Sequence, residues 1–199
     1  LGIASSYQNM GDSDNAIEYY KKALNLAPKN SDIAYYIAAL YSEKGDSSNA
    51  KIYAQKAVTL NAGNKEAKEL LESLDAQIAS EELEKAISMF DAGQYIESLA
   101  LLNKIITSEP NDSYALYYRG MIYDTQKKYN EAIADYKKAI ASNPDLTIIN
   151  YLIGVDYDML EQYKNAISYY KSFTTTYSED DDYLKYAKTR ITELEPYAK

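Results

Sequence analysis

A period of about 34 residues governs this chain. Ala16 and Ala50 stand one period apart, Ala132 and Ala166 do the same, and Ser98 stands one period before Ala132. A second series agrees with the first: Tyr7, Tyr41, Met89, Tyr123 and Tyr157. A third is Pro28, Pro110 and Pro144. A fixed period in this range marks a helical solenoid, whose units bury their apolar faces only by stacking on one another. Such folds offer an extended surface rather than an enclosed pocket. Holding a partner is therefore the first functional expectation.

The clearest unit runs from Ser113 to Leu146. Apolar and small residues recur at helical spacing through Ala115, Leu116, Gly120, Ile122 and Tyr123. Lys127 and Lys128 suit a helix C-terminus, where cations meet the negative end of the dipole. Ala132, Ile133, Tyr136, Ala139 and Ile140 then repeat at i, i+1, i+4, i+7 and i+8, which predicts a second helix. Asn143-Pro144 stops it, because the residue before a proline is pushed out of the helical region. The unit reads as an antiparallel hairpin with about three to four turns in each helix. Small residues at Gly120, Ala132 and Ala139 let the helices approach, with Gly120 expected to face Ala132, and Tyr123 and Tyr136 fill the remaining space. Gly11-Asp12, Gly45-Asp46 and Gly93-Gln94 each pair a helix-ending glycine with a polar helix start. Lys127 and Glu161 stand in the later turns, where packing rather than glycine geometry is expected to hold the chain.

The run Leu116-x₂-Arg119-Gly120-x₂-Tyr123, followed by Ala132-x₃-Tyr136 and Pro144, resembles the tetratricopeptide repeat. Arg119 stands where the family has Leu. The next unit carries Asn150, Ile153, Gly154, Tyr157, Ala166 and Tyr170. It departs by ending at Ser178 without Pro and by placing Phe173 at a small-residue position. Ala34, Ile37, Ala38, Tyr41, Ala50, Ala57 and Ala62 make an earlier unit. Ile3, Ala4, Tyr7, Ala16, Tyr20, Ala23 and Pro28 make the first, whose opening helix looks truncated at Leu1, as in a fragment of a longer protein. The weakest unit, Ala79 to Asp112, keeps Ala86, Met89, Ser98, Leu102, Ile105 and Pro110 but has Lys85 at an apolar position. The resemblance implies an all-α, right-handed superhelical solenoid of helix-turn-helix hairpins. The first helix of each hairpin would line a concave groove.

The register breaks once. The step from Pro28 to Pro110 exceeds two periods by nearly four helical turns, and the excess lies between Asn64 and Ala79. No Gly or Pro occurs from Lys65 to Ala92, and Ala67, Leu70, Leu71, Leu74 and Ile78 continue with helical spacing into Leu83, Ala86, Ile87 and Phe90. This predicts one long central helix of roughly 28 residues, about 42 Å. The alternative is a break near Ala79-Ser80 with Ser80 as a cap. The expected organisation is two lobes: 1–78, two repeats plus an extension helix, and 79–199, three repeats plus a capping helix. Glu179 to Asp182 precede Tyr183, Leu184, Ala187 and Ile191, an acidic start suited to that last helix, which would cover the final apolar face.

Composition removes several function classes. A formal net charge of −9 argues against nucleic acid and against docking on anionic lipid, and makes a basic partner the electrostatic complement. The absence of Cys, His and Trp excludes disulfides, thiolate and imidazole catalysis, and Cys or His metal sites within these residues. The acidic run 179–182 lacks the alternating ligands and the Gly of a calcium loop, so neither metal nor cofactor is expected. No apolar run approaches the ~18 residues of a membrane span, and no signal-peptide pattern opens the chain. The residues do not fix a compartment; the cytoplasm is favoured. Asp156 and Asp158 read as neighbouring surface acids rather than a catalytic pair, and no phosphate loop or nucleophile motif is present. Asn111-Asp112-Ser113 matches a glycosylation acceptor but reads as a turn. The 23 Tyr against two Phe read mainly as helix-packing residues in place of Phe.

The family's groove positions supply candidate contacts. In the earlier units they are Tyr35, Ala39 and Ser42, then Leu83, Ile87 and Phe90. In the later lobe they are Tyr114, Tyr117, Met121, Asp124, Tyr151, Val155 and Asp158. The expectation is a non-catalytic scaffold for protein–protein interaction. An extended or helical peptide would set apolar side chains on the tyrosines and a Lys or Arg against the aspartates. An accessory domain of a larger enzyme and a self-associating structural protein are the alternatives. Some family members clamp a C-terminal carboxylate with Lys, Asn and Arg; the matching places here hold Tyr, Met, Val and Leu, so that mode is not implied. Arg119 is expected to be ion-paired or snorkelling at the core edge, with anion anchoring as its other possible role.

Overall fold

The computed structural model describes residues 1–198. Among the described residues it contains eleven α-helices, one 3₁₀ turn and no strand. The first, second, fourth and fifth hairpins are α1 (Gly2–Asn9) with α2 (Ser13–Leu26), α3 (Ser31–Glu43) with α4 (Ser47–Leu60), α7 (Ser113–Thr125) with α8 (Tyr129–Ser142), and α9 (Ile148–Met159) with α10 (Tyr163–Thr176); the third is made by the end of the long central helix and the helix after it. Through the register break runs α5 (Lys65–Asp91), unbroken at Ala79-Ser80. Its later turns meet α6 (Tyr95–Ser108), where the Ser98 hydroxyl, fully buried in the slot other hairpins fill with Ala, donates to the Ala86 carbonyl at 2.8 Å. The closing helix α11 (Asp182–Leu194) packs on α10 and ends in the 3₁₀ turn Glu195–Tyr197. The chain divides into two compact units, Leu1–Glu81 and Glu82–Lys199, with the boundary inside α5. No helix among the described residues is long and apolar enough to cross a membrane.

All five hairpin turns use one backbone scheme. The N–H groups of Asp12, Asp46, Gln94, Lys128 and Gln162 donate to the carbonyls of Tyr7, Tyr41, Met89, Tyr123 and Tyr157 at 2.8–2.9 Å. The residue before each donor lies in the left-handed region: Gly11 and Gly45 at φ 75°, Gly93 at 73°, Lys127 at 57° and Glu161 at 58°. The later turns are thus not an exception held by packing; Lys127 and Glu161 adopt the conformation that suits glycine. Helix starts differ more. Asp12 and Asp46 accept from the N–H groups of Asn15 and Asn49 at 3.1 and 3.0 Å, and each Asn side-chain amide donates a further 2.7 Å bond to the same carboxylate. Asp112 caps α7 through Ala115 at 2.7 Å, which fixes Asn111-Asp112-Ser113 as a turn and helix start. Gln94, Lys128 and Gln162 make no side-chain cap.

Small residues are matched with fillers, which come from the same hairpin or, in the second, from α5. Ala38 and Ala54 share a cluster with Leu74; Ala86 and Leu102 share another. In the last two hairpins the small residue is Gly and the filler is Tyr. A Cβ on Gly120 would lie 2.5 Å from Cε1 of Tyr136, and one on Gly154 would lie 2.7 Å from Cδ1 of Tyr170. Gly120 therefore makes room for the Tyr136 ring rather than for a close approach to Ala132. A second register holds stacked tyrosines: Tyr7–Tyr19, Tyr41–Tyr53 and Tyr157–Tyr169, with centroids 5.4–5.8 Å apart. Lys21 and Lys137 donate to the hydroxyls of Tyr41 and Tyr157 at 2.7 Å, reaching from one hairpin to the next. Much of the tyrosine excess serves in this way, as packing surface with a polar handle.

Candidate functional site

Helices α7, α9 and α11 carry a run of aromatic side chains in the second unit. Tyr118 sits edge-on to Phe90 with centroids 5.4 Å apart, and Tyr117 edge-on to Tyr118 at 5.1 Å. Tyr151 contacts Tyr183 at 5.1 Å, Phe173 at 5.4 Å and Tyr186 at 5.8 Å. Tyr114, Tyr183 and Tyr186 are 46%, 51% and 45% exposed, while Tyr117 and Tyr151 are half-buried. Met121 packs beside Tyr117, and Val155 beside Tyr151, both partly buried. Burial raises the Tyr117 hydroxyl above its ordinary value, and Tyr118 and Tyr183 add to the effect. Burial does the same for Tyr118 and Tyr151, followed by Asp91 and Tyr114 at the first, and by Tyr186, Tyr183 and Asp181 at the second. The phenols are therefore neutral donors at ordinary pH, with acids at both ends of the run.

The aspartates are placed differently from the tyrosines. Asp158 accepts from Arg190 Nε and Nη2 at 2.5 and 2.9 Å, with only 8% of its side chain exposed. Asp124 accepts from the Tyr136 hydroxyl at 2.5 Å, and its other oxygen is buried without a donor, facing Asp156. Neither stands free for a ligand's cation. Asp156, expected at the surface, is 1% exposed. Arg119 is ion-paired: Nε and Nη2 donate to Asp135 at 2.6 and 2.8 Å, and Nη1 donates to Asn103 at 2.8 Å. All three of its nitrogens donate internally, so the side chain is held at the core edge as an ion-paired residue.

The sequence places Tyr183 on the closing helix with Leu184, Ala187 and Ile191 and gives no signal for Tyr186 as a contact; the structure brings both rings against Tyr151. They lie at i, i+3 along one edge of the face formed by Leu184, Ala187 and Ile191, which is the part of their placement that helical spacing carries. A separate cleft of about 340 Å³, lined by Tyr163, Arg190, Glu193, Leu194 and Tyr197, includes none of the predicted contact residues.

Three tetratricopeptide repeat models match the chain, over residues 1–30, 19–51 and 113–146. No curated protein sequence matches it. Among solved structures it is similar to the TPR2AB domain of yeast Sti1 in complex with pHSP90, at 16% identity over 96% of this chain and 83% of that one, TM-score 0.51. It is also similar to the first TPR of Spaghetti (RPAP3) bound to the HSP90 peptide SRMEEVD, at 21% identity over 61% of this chain and 93% of that one, TM-score 0.54. The Arabidopsis OM64 TPR domain matches at 15% identity over 58% of this chain and 94% of that one, TM-score 0.53. At these identities the likeness establishes the fold. With hairpins of one turn geometry in both units and the family's models on both, the chain is a tetratricopeptide repeat protein.

Proposed function

We propose that this protein is a non-catalytic interaction scaffold that holds a peptide or protein segment on the tyrosine face of α7, α9 and α11. The observation that carries the reading is the exposure of Tyr114, Tyr183 and Tyr186 alongside half-buried Tyr117, Met121, Tyr151 and Val155. Tyrosines offer large contact area with little side-chain entropy to lose, and a hydroxyl for backbone groups. The acids at the ends of the face, Asp91 and Asp181, favour a segment with apolar side chains at its centre and Lys or Arg at its flanks. Asp158 is neutralised by Arg190 and Asp124 is buried against Asp156, whereas Asp181, although it caps α11 and accepts from Tyr177, is paired with no cation among the described residues. The Sti1 and Spaghetti domains, each captured with an HSP90 partner, are precedents for this fold holding peptides. The present face holds aromatic residues where a carboxylate clamp needs cations, so a different class of segment is expected.

The test is retention on an array of synthetic peptides by wild type and by a Tyr114→Ala, Tyr183→Ala, Tyr186→Ala variant, with helix content followed by circular dichroism. The exposed positions keep the fold intact. Peptides kept by wild type and lost by the folded variant support the reading; identical retention by both overturns it.

A further inference from the structure

Two successive stacking interfaces of the second unit carry polar side chains at one register. Asp158 on α9 meets Arg190 on α11, almost one period later in the chain, as an ion pair. One period earlier stand Asp124 on α7 and Asp156 on α9, separated by the same step, and there the aspartate's partner is a second aspartate. The two carboxyls lie within hydrogen-bonding reach of each other. Asp124 Oδ1 and Asp156 Oδ2 are both buried and have no donor.

The surrounding elements offer no compensating charge. From α8, Tyr136 gives its hydroxyl to the other oxygen of Asp124, and Tyr117 of α7 lies behind Tyr136. From α10, the Tyr170 ring covers Gly154, and its hydroxyl lies near Asp158 and Arg190. Arg119 is committed to Asp135 and Asn103. No Lys or Arg acts on Asp124 or on Asp156. Two ionised carboxylates here would be unpaired like charges in a buried interface. One proton would turn one of them into a donor for the other and satisfy both orphaned oxygens.

We propose that Asp124 and Asp156 share one proton across the α7–α9 interface, and that this proton locks the fourth hairpin to the fifth as a pH-responsive joint. Burial first, and then the Asp124 charge, hold the Asp156 carboxyl well above the usual carboxylate range. Burial also raises Asp124, against the hydrogen bonds from Tyr136 and Asp156. The folded chain therefore keeps a proton that the unfolded chain releases. The stabilisation is complete below the ordinary aspartate range and is lost as pH rises through the raised folded value. Across that window the unfolding constant grows by up to about tenfold per pH unit, the limit for one proton.

The test compares wild type with Asp156→Asn, which keeps the shape and supplies a permanent amide donor to Asp124. Urea unfolding at about pH 5 and about pH 8 is expected to raise the unfolding constant of wild type relative to the variant by at least about tenfold. Infrared spectra at about pH 7 should show the carbonyl band of a protonated carboxylic acid in wild type, absent from Asp156→Asn. A ratio that does not change with pH, or a wild-type spectrum without that band, overturns the proposal. Asp124→Asn is the second variant, and the wild-type spectrum decides alone if neither variant folds.

Discussion

The second hairpin, α3 with α4, and the fourth, α7 with α8, occupy the same register of the repeat and are built from opposite parts. In the second, Ala38 is matched by Ala54, Tyr41 stacks on Tyr53, Gly45 makes the turn and Asp46 caps the next helix. In the fourth, Gly120 is matched by Tyr136 and Asp135 stands where Tyr53 does, tied to Arg119 in the place of Ile37. Lys127 makes the turn there, and Lys128 leaves the next helix uncapped. Both close the same turn with the same hydrogen bond. The hairpin is specified by complementary pairs, so a substitution should be judged against its partner and not against the position's usual occupant.

The largest effect should come from the pair that most distinguishes the two. Asp135 is nearly fully buried and both its oxygens depend on Arg119. Arg119→Ala is expected to destabilise the protein by about 3 kcal/mol, because it strands a buried carboxylate; the value sits at the low end for such losses because the guanidinium is partly exposed. Arg119→Ile with Asp135→Tyr rebuilds the second hairpin's pair and should recover most of that loss in urea unfolding. A double variant as unstable as Arg119→Ala alone would show that the two hairpins are not interchangeable.

Next in size is the Gly–Tyr match, best tested one repeat on, where the Tyr170 hydroxyl has no partner to lose. Gly154→Ala places a methyl against a ring that is fully buried and cannot move aside, and should cost about 2 kcal/mol net of the helix propensity it gains. Tyr170→Leu in the same chain recreates the Ala86–Leu102 match. The double-mutant cycle should give a favourable coupling of about 1 kcal/mol or more, and additivity would refute the pairing.

Much of this was legible in the sequence because helical periodicity and small-residue spacing are local signals. The five hairpins, the uninterrupted α5 and the closing helix follow from them. The acid pair was not legible. Asp156 has an acidic neighbour two positions on, in a chain with 30 acids, and resembles a solvated surface residue. Its burial depends on Asp124, almost a full repeat away in the chain, and so on how helices of successive repeats meet. The signal that exposes it is also periodic: stepping one period on from Asp156 lands on Arg190, so one interface offers a cation where the other offers an acid. The internal partners of Asp124 and Asp158 are hidden for the same reason, since a face assignment fixes a residue's side of the helix but not its neighbour across the stack.

Helix caps separate the hairpins more gently. Asp46→Ala removes the acceptor for Asn49 N–H and should lower Tm by a few degrees, whereas Lys128→Ala, which removes no cap, should leave it unchanged. The Asn49 side-chain and backbone bonds hold the Asp46 carboxyl below its ordinary value. A depressed acid stabilises the fold above the ordinary carboxylate range and loses that contribution as pH falls through its folded value. The difference between Asp46→Ala and wild type should therefore vanish in acid, opposite in direction to the Asp124–Asp156 pair. Thermal melts of Asp46→Ala and Asp156→Asn across pH check the two signs together.

The smallest effect concerns the turn itself. Lys127 holds φ at 57°, a conformation in which a side chain's Cβ crowds the backbone and glycine's absence of one does not. Lys127→Gly should relieve that crowding and stabilise the protein by about 0.5–1 kcal/mol, after the extra freedom it gives the unfolded chain is counted. The reciprocal change in the second hairpin, Gly45→Lys, should destabilise by a similar amount, since Gly45 stands at 75° with open space where a Cβ would go. Equal and opposite shifts in urea midpoint would mean that the turn contributes the same backbone term in both hairpins. A Lys127→Gly variant no more stable than wild type would instead mean that Lys127 offsets its strain elsewhere, and the nearest candidate is its charge at the end of the α7 dipole.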